Sequence, residues 1–247
     1  MNEPAGGVVV TGASDGIGAA IAREAARRGE MVACLSRRGL APAEEDPTVR
    51  ERLIPYTCDV TDARRAEEVL ADFARAAGGI RALVNSAGRQ VRVSSAEMEP
   101  DVLRTVLELN VVATFSMCRL AYGYLRAAGG GTIVNIGSFF DQRGVSGNLA
   151  YSASKAAVAS ISRTLAVEWA RDGITVFTVA PGFVLTNLNQ EFFDDETNRT
   201  RVLQRIPVRR LGEPEEIGRL VAVLLEERIR YLTGTTIYVD GGQGINL

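Results

Sequence analysis

The chain has 247 residues, a net charge of −2 and 46% hydrophobic residues, which is the composition of a folded globular protein. This balance predicts no binding of nucleic acid or an anionic membrane surface, and no apolar run approaches the roughly 20 residues of a membrane span. There is no histidine, which excludes histidine triads and histidine–metal sites. We therefore expect no metal, and proton transfer by another group.

The three cysteines, Cys34, Cys58 and Cys118, lie in apolar segments without metal-ligand spacing. They are typical of buried thiols in a reducing compartment. The first residues lack the basic region of a signal peptide. We therefore expect a cytoplasmic protein whose residues 1–247 form a single domain.

The first predicted strand covers residues 7–11 and runs into a glycine loop with the spacing Gly12-x-x-x-Gly16-x-Gly18. An alanine-rich helix follows and reaches Arg28. A strand, a glycine loop and a helix in this order present backbone N–H groups and a helix N-terminus to a phosphate. A tight turn without a ligand is the alternative interpretation.

The second predicted strand, residues 30–35, ends in Ser36-Arg37-Arg38. In a dinucleotide fold this strand end meets the adenosine ribose, where an acidic residue favours NAD. A guanidinium fork suits a 2′-phosphate instead, so the sequence favours NADP over NAD. The alternative is a solvated basic turn.

Strands and helices alternate along the rest of the chain, and residues 39–52 are predicted to be an irregular loop. The further strands are predicted at 53–58, 80–84, 132–136, 174–180 and 235–239, and the further helices at 62–77, 99–126, 151–171 and 214–227. The polar and aromatic segment 185–210 is a candidate lid. The pattern predicts an α/β fold, a single-domain Rossmann-like doubly wound parallel sheet with helices on both faces, which binds ligands at the carboxyl ends of its strands.

Tyr151 and Lys155 are four residues apart and so lie on one face of a predicted helix. The 28 basic residues are 27 arginines and this one lysine. Because arginine and lysine differ in shape and hydration, the lone lysine indicates a site that needs an ammonium. A chance pair on a surface helix is the alternative.

The chain resembles the short-chain dehydrogenase/reductase family along its whole length. The residues that carry the resemblance are Thr11-Gly12-x-x-x-Gly16-x-Gly18, Asp59-Val60, Asn85-x-Ala87-Gly88, Asn110, Ser138, Tyr151-x-x-x-Lys155, Pro181-Gly182 and Asp240-Gly241-Gly242. The sequence departs from the family pattern at two positions. Ser86 stands where the family usually has a second asparagine, and Asp15 stands where many NADP-dependent members have a basic residue, which leaves the NADP prediction on Arg37 and Arg38.

The resemblance implies an oxidoreductase (EC 1.1.1.-) that transfers a hydride between NADP(H) and a ketone or secondary alcohol. Tyr151 would be the general acid/base, with Lys155 and the positive nicotinamide ring lowering its pKa. Ser138 would hold the substrate oxygen, and Asn110 would fix a water that links Lys155 to solvent. The residues expected to bind the cofactor are Gly12, Ser14, Asp15, Gly16, Ile17, Gly18, Ser36, Arg37, Arg38, Asp59, Val60, Asn85, Ala87, Gly88, Tyr151, Lys155, Pro181, Gly182, Val184 and Thr186.

The substrate pocket is predicted from the residues that follow the last sheet strands and from the candidate lid. Its expected members outside 185–210 are Phe139, Phe140, Gln142, Val145 and Phe183. A small-molecule ketone or alcohol with an apolar part, as in 3-oxoacyl reduction, and a sugar acid, as in gluconate 5-dehydrogenase, both stay open. A cofactor-binding member without turnover, acting as a sensor or structural partner, is the alternative of another class. The resemblance also implies a homotetramer or a homodimer.

Overall fold

A computed structural model describes residues 6–187 and 189–246. These residues contain a single seven-stranded sheet in which every paired strand is parallel. The strands are β1 (Gly7–Thr11), β2 (Val32–Ser36), β3 (Leu53–Thr57), β4 (Ile80–Asn85), β5 (Gly131–Ile136), β6 (Ile174–Pro181) and β7 (Thr236–Val239). Their order is β3-β2-β1-β4-β5-β6-β7, which is the predicted Rossmann-like architecture.

The helices alternate with the strands, as the sequence predicts. They are α1 (Gly16–Arg27), α2 (Pro47–Arg50), α3 (Ala63–Ala77), α4 (Pro100–Leu107), α5 (Ala113–Ala127), α6 (Leu149–Trp169), α7 (Gln190–Asp194), α8 (Glu196–Arg205) and α9 (Pro214–Glu227). Among the described residues, no helix is both long and apolar enough to cross a membrane.

Strands β1 and β2 are buried along their whole length, which explains why their sequences are predominantly apolar. Val8 and Val10 face one core, which α1 and α9 cover with Ile21 and Val221. Val9 faces the other core, under α3, α5 and α6. The strand order reverses between β1 and β4, so the carboxyl ends of these two strands open a crevice for a ligand.

The predicted long helix 99–126 is interrupted, which corrects the sequence interpretation. Residues Glu108–Val112 form one turn of π-helix between α4 and α5. The extra residue in this turn displaces the backbone bonding, and the Thr114 hydroxyl donates to the Asn110 carbonyl at 2.9 Å. The turn places Asn110, which is buried, beside the segment that follows β4.

Two predicted loops also contain short helices. Within 39–52, Asp46 accepts a hydrogen bond from the Thr48 N–H and caps α2. Within 185–210, α7 and α8 follow one another, and Asp195 caps α8 through the N–H groups of Thr197 and Asn198. The candidate lid is therefore a helical pair with a small apolar core of its own.

Candidate active site

A cleft of about 1630 Å³ lies at the carboxyl ends of the strands. It is lined by the glycine loop, the end of β2, the segments after β4 and β5, the start of α6 and the candidate lid. Every residue predicted to bind the cofactor lines this cleft except Asn85. Ser138 lines it too, whereas Asn110 lies behind its wall.

The glycine loop approaches the segment after β4 too closely for side chains. Gly12 has φ +68, and a Cβ there would lie 2.9 Å from the backbone of Ala87. A Cβ on Gly18 would lie 2.3 Å from the Gly12 carbonyl oxygen. The Thr11 hydroxyl accepts hydrogen bonds from the N–H groups of Ser86 and Ala87, which fixes this contact. The glycine loop therefore suits a dinucleotide phosphate, which would contact backbone N–H groups directly because no side chain intervenes.

Asp15 joins the glycine loop to the candidate lid. One carboxylate oxygen accepts from the Gly16 N–H at 2.7 Å, at the N-terminus of α1, and the other accepts from the Asn187 side chain at 2.6 Å. Asp15 thus accepts two hydrogen bonds, which a basic side chain, having only donors, could not do. Sequence reasoning did not anticipate the link to Asn187.

Arg37 and Arg38 are exposed at the end of β2, where the adenosine ribose is expected. Arg38 donates to the Ser14 hydroxyl at 3.1 Å, across the mouth of the glycine loop. Asp59 lies on the other side, where hydrogen bonds from Thr61 and the nearby Arg37 charge keep the pKa of its carboxyl below the usual value. Two guanidinium groups therefore flank this end of the cleft.

Asn85 does not face the cleft, which corrects its assignment as a cofactor contact. Its side chain points into the core and donates to Asn135 Oδ1 at 2.8 Å and to the Cys118 sulfur at 3.3 Å. Asn135 in turn donates to Ser162 Oγ at 2.9 Å. Asn85 therefore connects β4 to β5 and, through Asn135, to α6. The residues that follow it, Ser86 to Gly88, line the cleft instead.

Tyr151 and Lys155 lie one turn apart on α6 and both line the cleft. The Lys155 ammonium donates to the Ile136 carbonyl at 2.7 Å and lies 5.5 Å from the centre of the Tyr151 ring. Burial lowers the pKa of Lys155 to about 8. This group is therefore held at the end of β5 rather than extended into solvent.

In the chain alone the pKa of Tyr151 is raised, whereas the predicted lowering includes the positive nicotinamide ring. Burial raises this pKa to about 12, and a hydrogen bond with Ser138 acts in the opposite direction. No lowering by Lys155 accompanies these two effects, and the ammonium itself donates to the Ile136 carbonyl. Within the chain's own groups, Tyr151 is therefore a protonated phenol at neutral pH.

Asn110 is fully engaged by protein groups, which the prediction of a water-binding role did not anticipate. Its oxygen accepts from the Arg89 N–H at 2.9 Å, and its amide donates to the Arg89 carbonyl and to Ser154 Oγ, each at 2.9 Å. Its oxygen also lies close to Gly88, where a Cβ would approach both Asn110 and the Lys155 ammonium. Asn110 thus positions the loop after β4 against α6.

Aromatic rings form the wall of the cleft opposite the glycine loop. Phe140 contacts the rings of Phe139, Phe183 and Tyr151, with centroid distances between 4.7 and 6.0 Å. Val145 lines the cleft as predicted, whereas Gln142 does not. This wall surrounds Tyr151 with apolar surface.

Several cleft residues outside the predicted segments were missed because they lie after β4 or just before α6, where the sequence has no periodicity. They include Arg89, Gln90, Arg92 and Asn148. In the segment after β4 only the small residues indicate a ligand site, so the sequence did not predict that Arg89 and Arg92 line the cleft. The fold and this cleft together define an α/β protein of the nucleotide-binding Rossmann class.

Comparison with known proteins identifies the family. Residues 12–243 match the family model described as Enoyl-(Acyl carrier protein) reductase. The chain is 37% identical to a glucose 1-dehydrogenase from Gluconobacter oxydans, over 95% of this chain and 90% of that protein. It is 34% identical to the 3-oxoacyl-acyl-carrier-protein reductase FabG of Vibrio cholerae, over 95% of each chain.

A solved structure of similar shape is a candidate NAD(P)-dependent gluconate 5-dehydrogenase from Beutenbergia cavernae, with NADP bound at low occupancy. It is 32% identical, with a TM-score of 0.85 over 96% of this chain and 95% of that one. The chain therefore belongs to the short-chain dehydrogenase/reductase family of oxidoreductases.

Proposed function

We propose that this protein is an NADP(H)-dependent dehydrogenase/reductase (EC 1.1.1.-) that interconverts a ketone and a secondary alcohol, with Tyr151 as the general acid/base. The observation that carries this proposal is the convergence of Ser138, Tyr151 and Lys155 on one cleft beside the glycine loop. A phenol, a hydroxyl and a buried ammonium provide donors for a carbonyl oxygen without any histidine.

The residues around the cleft suit a dinucleotide. The glycine loop would hold the pyrophosphate, Arg37 and Arg38 the 2′-phosphate, and Asp59 with Val60 the adenine end. Ala87, Gly88, Pro181, Gly182, Val184 and Thr186 would surround the remainder. When bound, the nicotinamide supplies or accepts the hydride.

In the direction of reduction, Ser138 and Tyr151 would both donate hydrogen bonds to the carbonyl oxygen, and Tyr151 would then transfer its proton. The raised pKa of Tyr151 keeps the proton on the phenol until the oxygen becomes basic. Lys155, whose ammonium is buried beside the ring, would stabilise the phenolate that remains. Asn110 would position Lys155 and the loop after β4, and a water near this amide would return the proton from solvent.

The aromatic wall favours a ketone or alcohol with an apolar part. Support for this class comes from FabG and from an acetoacetyl-CoA reductase of Shinella zoogloeoides, to which the chain is 35% identical. The second candidate is an NAD-dependent sugar-acid or alcohol dehydrogenase, which is supported by the similarity to the NAD(P)-dependent gluconate 5-dehydrogenase candidate. The exposed arginine pair at the end of β2 supports NADP over NAD.

The proposal includes a cytoplasmic homotetramer or homodimer formed from a single domain, with α7 and α8 as the lid. Three buried cysteines, none in a disulfide among the described residues, are compatible with a reducing compartment. Phe115 on α5 and Val167 on α6 are exposed apolar side chains, 43% and 81% accessible, on two helices suited to pair with a second copy.

The test is the oxidation of NADPH and, in parallel, of NADH by a panel of ketones, together with the reduction of NADP+ and of NAD+ by secondary alcohols and sugar acids. We expect turnover with NADPH and an apolar ketone. Turnover with NAD and a sugar acid alone would favour the second candidate. Tight binding of NADPH without turnover of any substrate would instead identify a cofactor-binding protein of the same fold.

A further inference from the structure

A second cavity, of about 740 Å³, adjoins the active-site cleft beside the start of α6. We call it the side cavity. Its described lining is Arg92, Val93, Ser94, Ser95, Arg143, Gly144, Val145, Ser146, Gly147, Leu149 and Ser152. Arg92 and Val145 line both cavities. The two cavities therefore adjoin at these two side chains.

The charge in the side cavity has one sign. Its described lining contains two arginines, Arg92 and Arg143, and no acidic residue. Neither guanidinium forms an ion pair within the described part of the chain, in contrast to Arg104, which pairs with Asp101 in the neighbouring cleft. Two unneutralised guanidinium groups in one cavity favour an anion.

Arg92 is held in a way that leaves its donors available. Its guanidinium carbon lies 4.5 Å from the centre of the Phe192 ring on α7. Stacking uses the face of the guanidinium, so the N–H groups at its edge stay free to bind a carboxylate or a phosphate. The contact also connects the candidate lid to the wall shared by the two cavities.

Two uncharged donors point to the same ligand. Ser152 lines the side cavity, and its hydroxyl is buried and has no hydrogen-bond partner among the described residues. It belongs to the first turn of α6, whose N-cap residue Asn148 makes no side-chain capping bond and accepts from Gln90 instead. An unsatisfied hydroxyl and an uncapped helix N-terminus both favour negative charge.

We propose that the side cavity binds an anionic group of the substrate, a carboxylate or a phosphate, while the carbonyl lies at Tyr151. This inference rests on the proposed function and specifies its substrate class as a ketone that carries an anionic end. Arg92 and Arg143 then act as specificity-determining residues, and Ser152 as an additional donor.

The test uses matched substrates that differ only in charge. Wild-type protein would be assayed with NADPH on 4-oxopentanoate, 5-oxohexanoate and 6-oxoheptanoate and on their methyl esters. A parallel pair is 5-hydroxypentan-2-one and its phosphate monoester. We expect kcat/KM for the best anion to exceed that of its neutral partner at least about tenfold, as charge-assisted hydrogen bonds predict. The preferred pair distinguishes carboxylate from phosphate.

The variants Arg92→Gln and Arg143→Gln should each remove most of this preference, measured in each variant as the ratio of kcat/KM for the anion to kcat/KM for its neutral partner. Retained turnover of the neutral ketone shows that the variants are folded. Arg92→Lys should restore part of the preference because it keeps the charge. Arg75→Gln, on α3 and paired with Asp72, controls for the loss of one positive charge.

A binding measurement distinguishes failure of this inference from failure of the proposed function. Saturation-transfer NMR would compare 5-oxohexanoate with its methyl ester on the wild type and on Arg92→Gln. Preferential binding of the acid that Arg92→Gln abolishes would support the side cavity even if no ketone is turned over. Equal binding or turnover of the acid and the ester in the wild type, or a preference that survives both substitutions, would overturn the inference.

Discussion

The side chain of Asn110 donates a hydrogen bond of 2.9 Å to Ser154 Oγ, and so connects the π turn to the helix that carries the candidate catalytic pair. Ser154 in turn donates to the Tyr151 carbonyl at 2.7 Å. Lys155 follows it directly. The position of both catalytic candidates therefore depends on an amide that does not face the cleft.

Replacement of Asn110 by Ala should destabilise the protein by about 2–3 kcal/mol, because three buried hydrogen bonds are lost. Ser154→Ala should cost only about 1 kcal/mol, since Arg89 still holds the amide. Urea unfolding measures both. Equal losses in the two variants would contradict the positioning role of Asn110. We also expect kcat to fall more in Asn110→Ala, with the KM for NADPH little changed.

Tyr151→Phe should abolish turnover while it leaves NADPH binding nearly intact. The substitution removes only the hydroxyl and keeps the ring that packs against Phe140. Loss of a general acid costs typically about 10²- to 10⁴-fold in rate. Steady-state assays would measure turnover, and NADPH fluorescence titration would measure affinity. Activity close to wild type would rule out Tyr151 as the proton donor.

Lys155→Met should raise the free energy of unfolding at pH 7 by up to about 3 kcal/mol. This is the free energy that corresponds to lowering the pKa of Lys155 from 10.5 to about 8 on folding. Burial places the folded-state pKa of Lys155 at about 8, below its ordinary value of 10.5. Between these two values the unfolded chain binds more protons, so wild-type stability rises with pH relative to the variant.

The difference between wild type and Lys155→Met should therefore be constant below about pH 8 and shrink as the pH approaches about 10. Urea unfolding at several pH values provides the measurement. A difference that grows with pH would show that Lys155 is not destabilised by burial. In activity assays both variants Lys155→Met and Lys155→Arg should lose most turnover. Lys155→Met removes the ammonium, and the guanidinium of Lys155→Arg does not fit the contact with the Ile136 carbonyl.

Some features of the fold and of the site can be predicted from the sequence, because they depend only on residue type and spacing along the chain. Gly12 and Gly18 are predictable because close backbone contacts leave no room for a Cβ. Strand β1 is predictable because a strand buried on both faces needs a continuous apolar run. Tyr151 and Lys155 are predictable as a pair because helical spacing alone places them on one face.

Other features depend on tertiary contacts that have no local signal. One extra residue in the π turn leaves the apolar periodicity around Asn110 almost unchanged, so a continuous helix was expected. The direction of the Asn85 side chain depends on Asn135, which is 50 positions away. The polar composition of α8 hides a helix that Asp195 caps. Arg92 lies in a loop and is placed by a ring 100 positions further along the chain.

Replacement of both Arg37 and Arg38 by Gln should raise the KM for NADPH about ten- to a hundredfold and change the KM for NADH by no more than about twofold. The reason is that each guanidinium is exposed and suits a 2′-phosphate, which NADH lacks, while the rest of the cleft is unchanged. The double substitution removes the hydrogen bond from Arg38 to Ser14 and no buried contact, so the thermal unfolding temperature should stay the same. That constancy is the control for folding. If the two cofactors were affected equally, the arginine pair would not be the selectivity element, and the prediction of NADP that rests on it would fail.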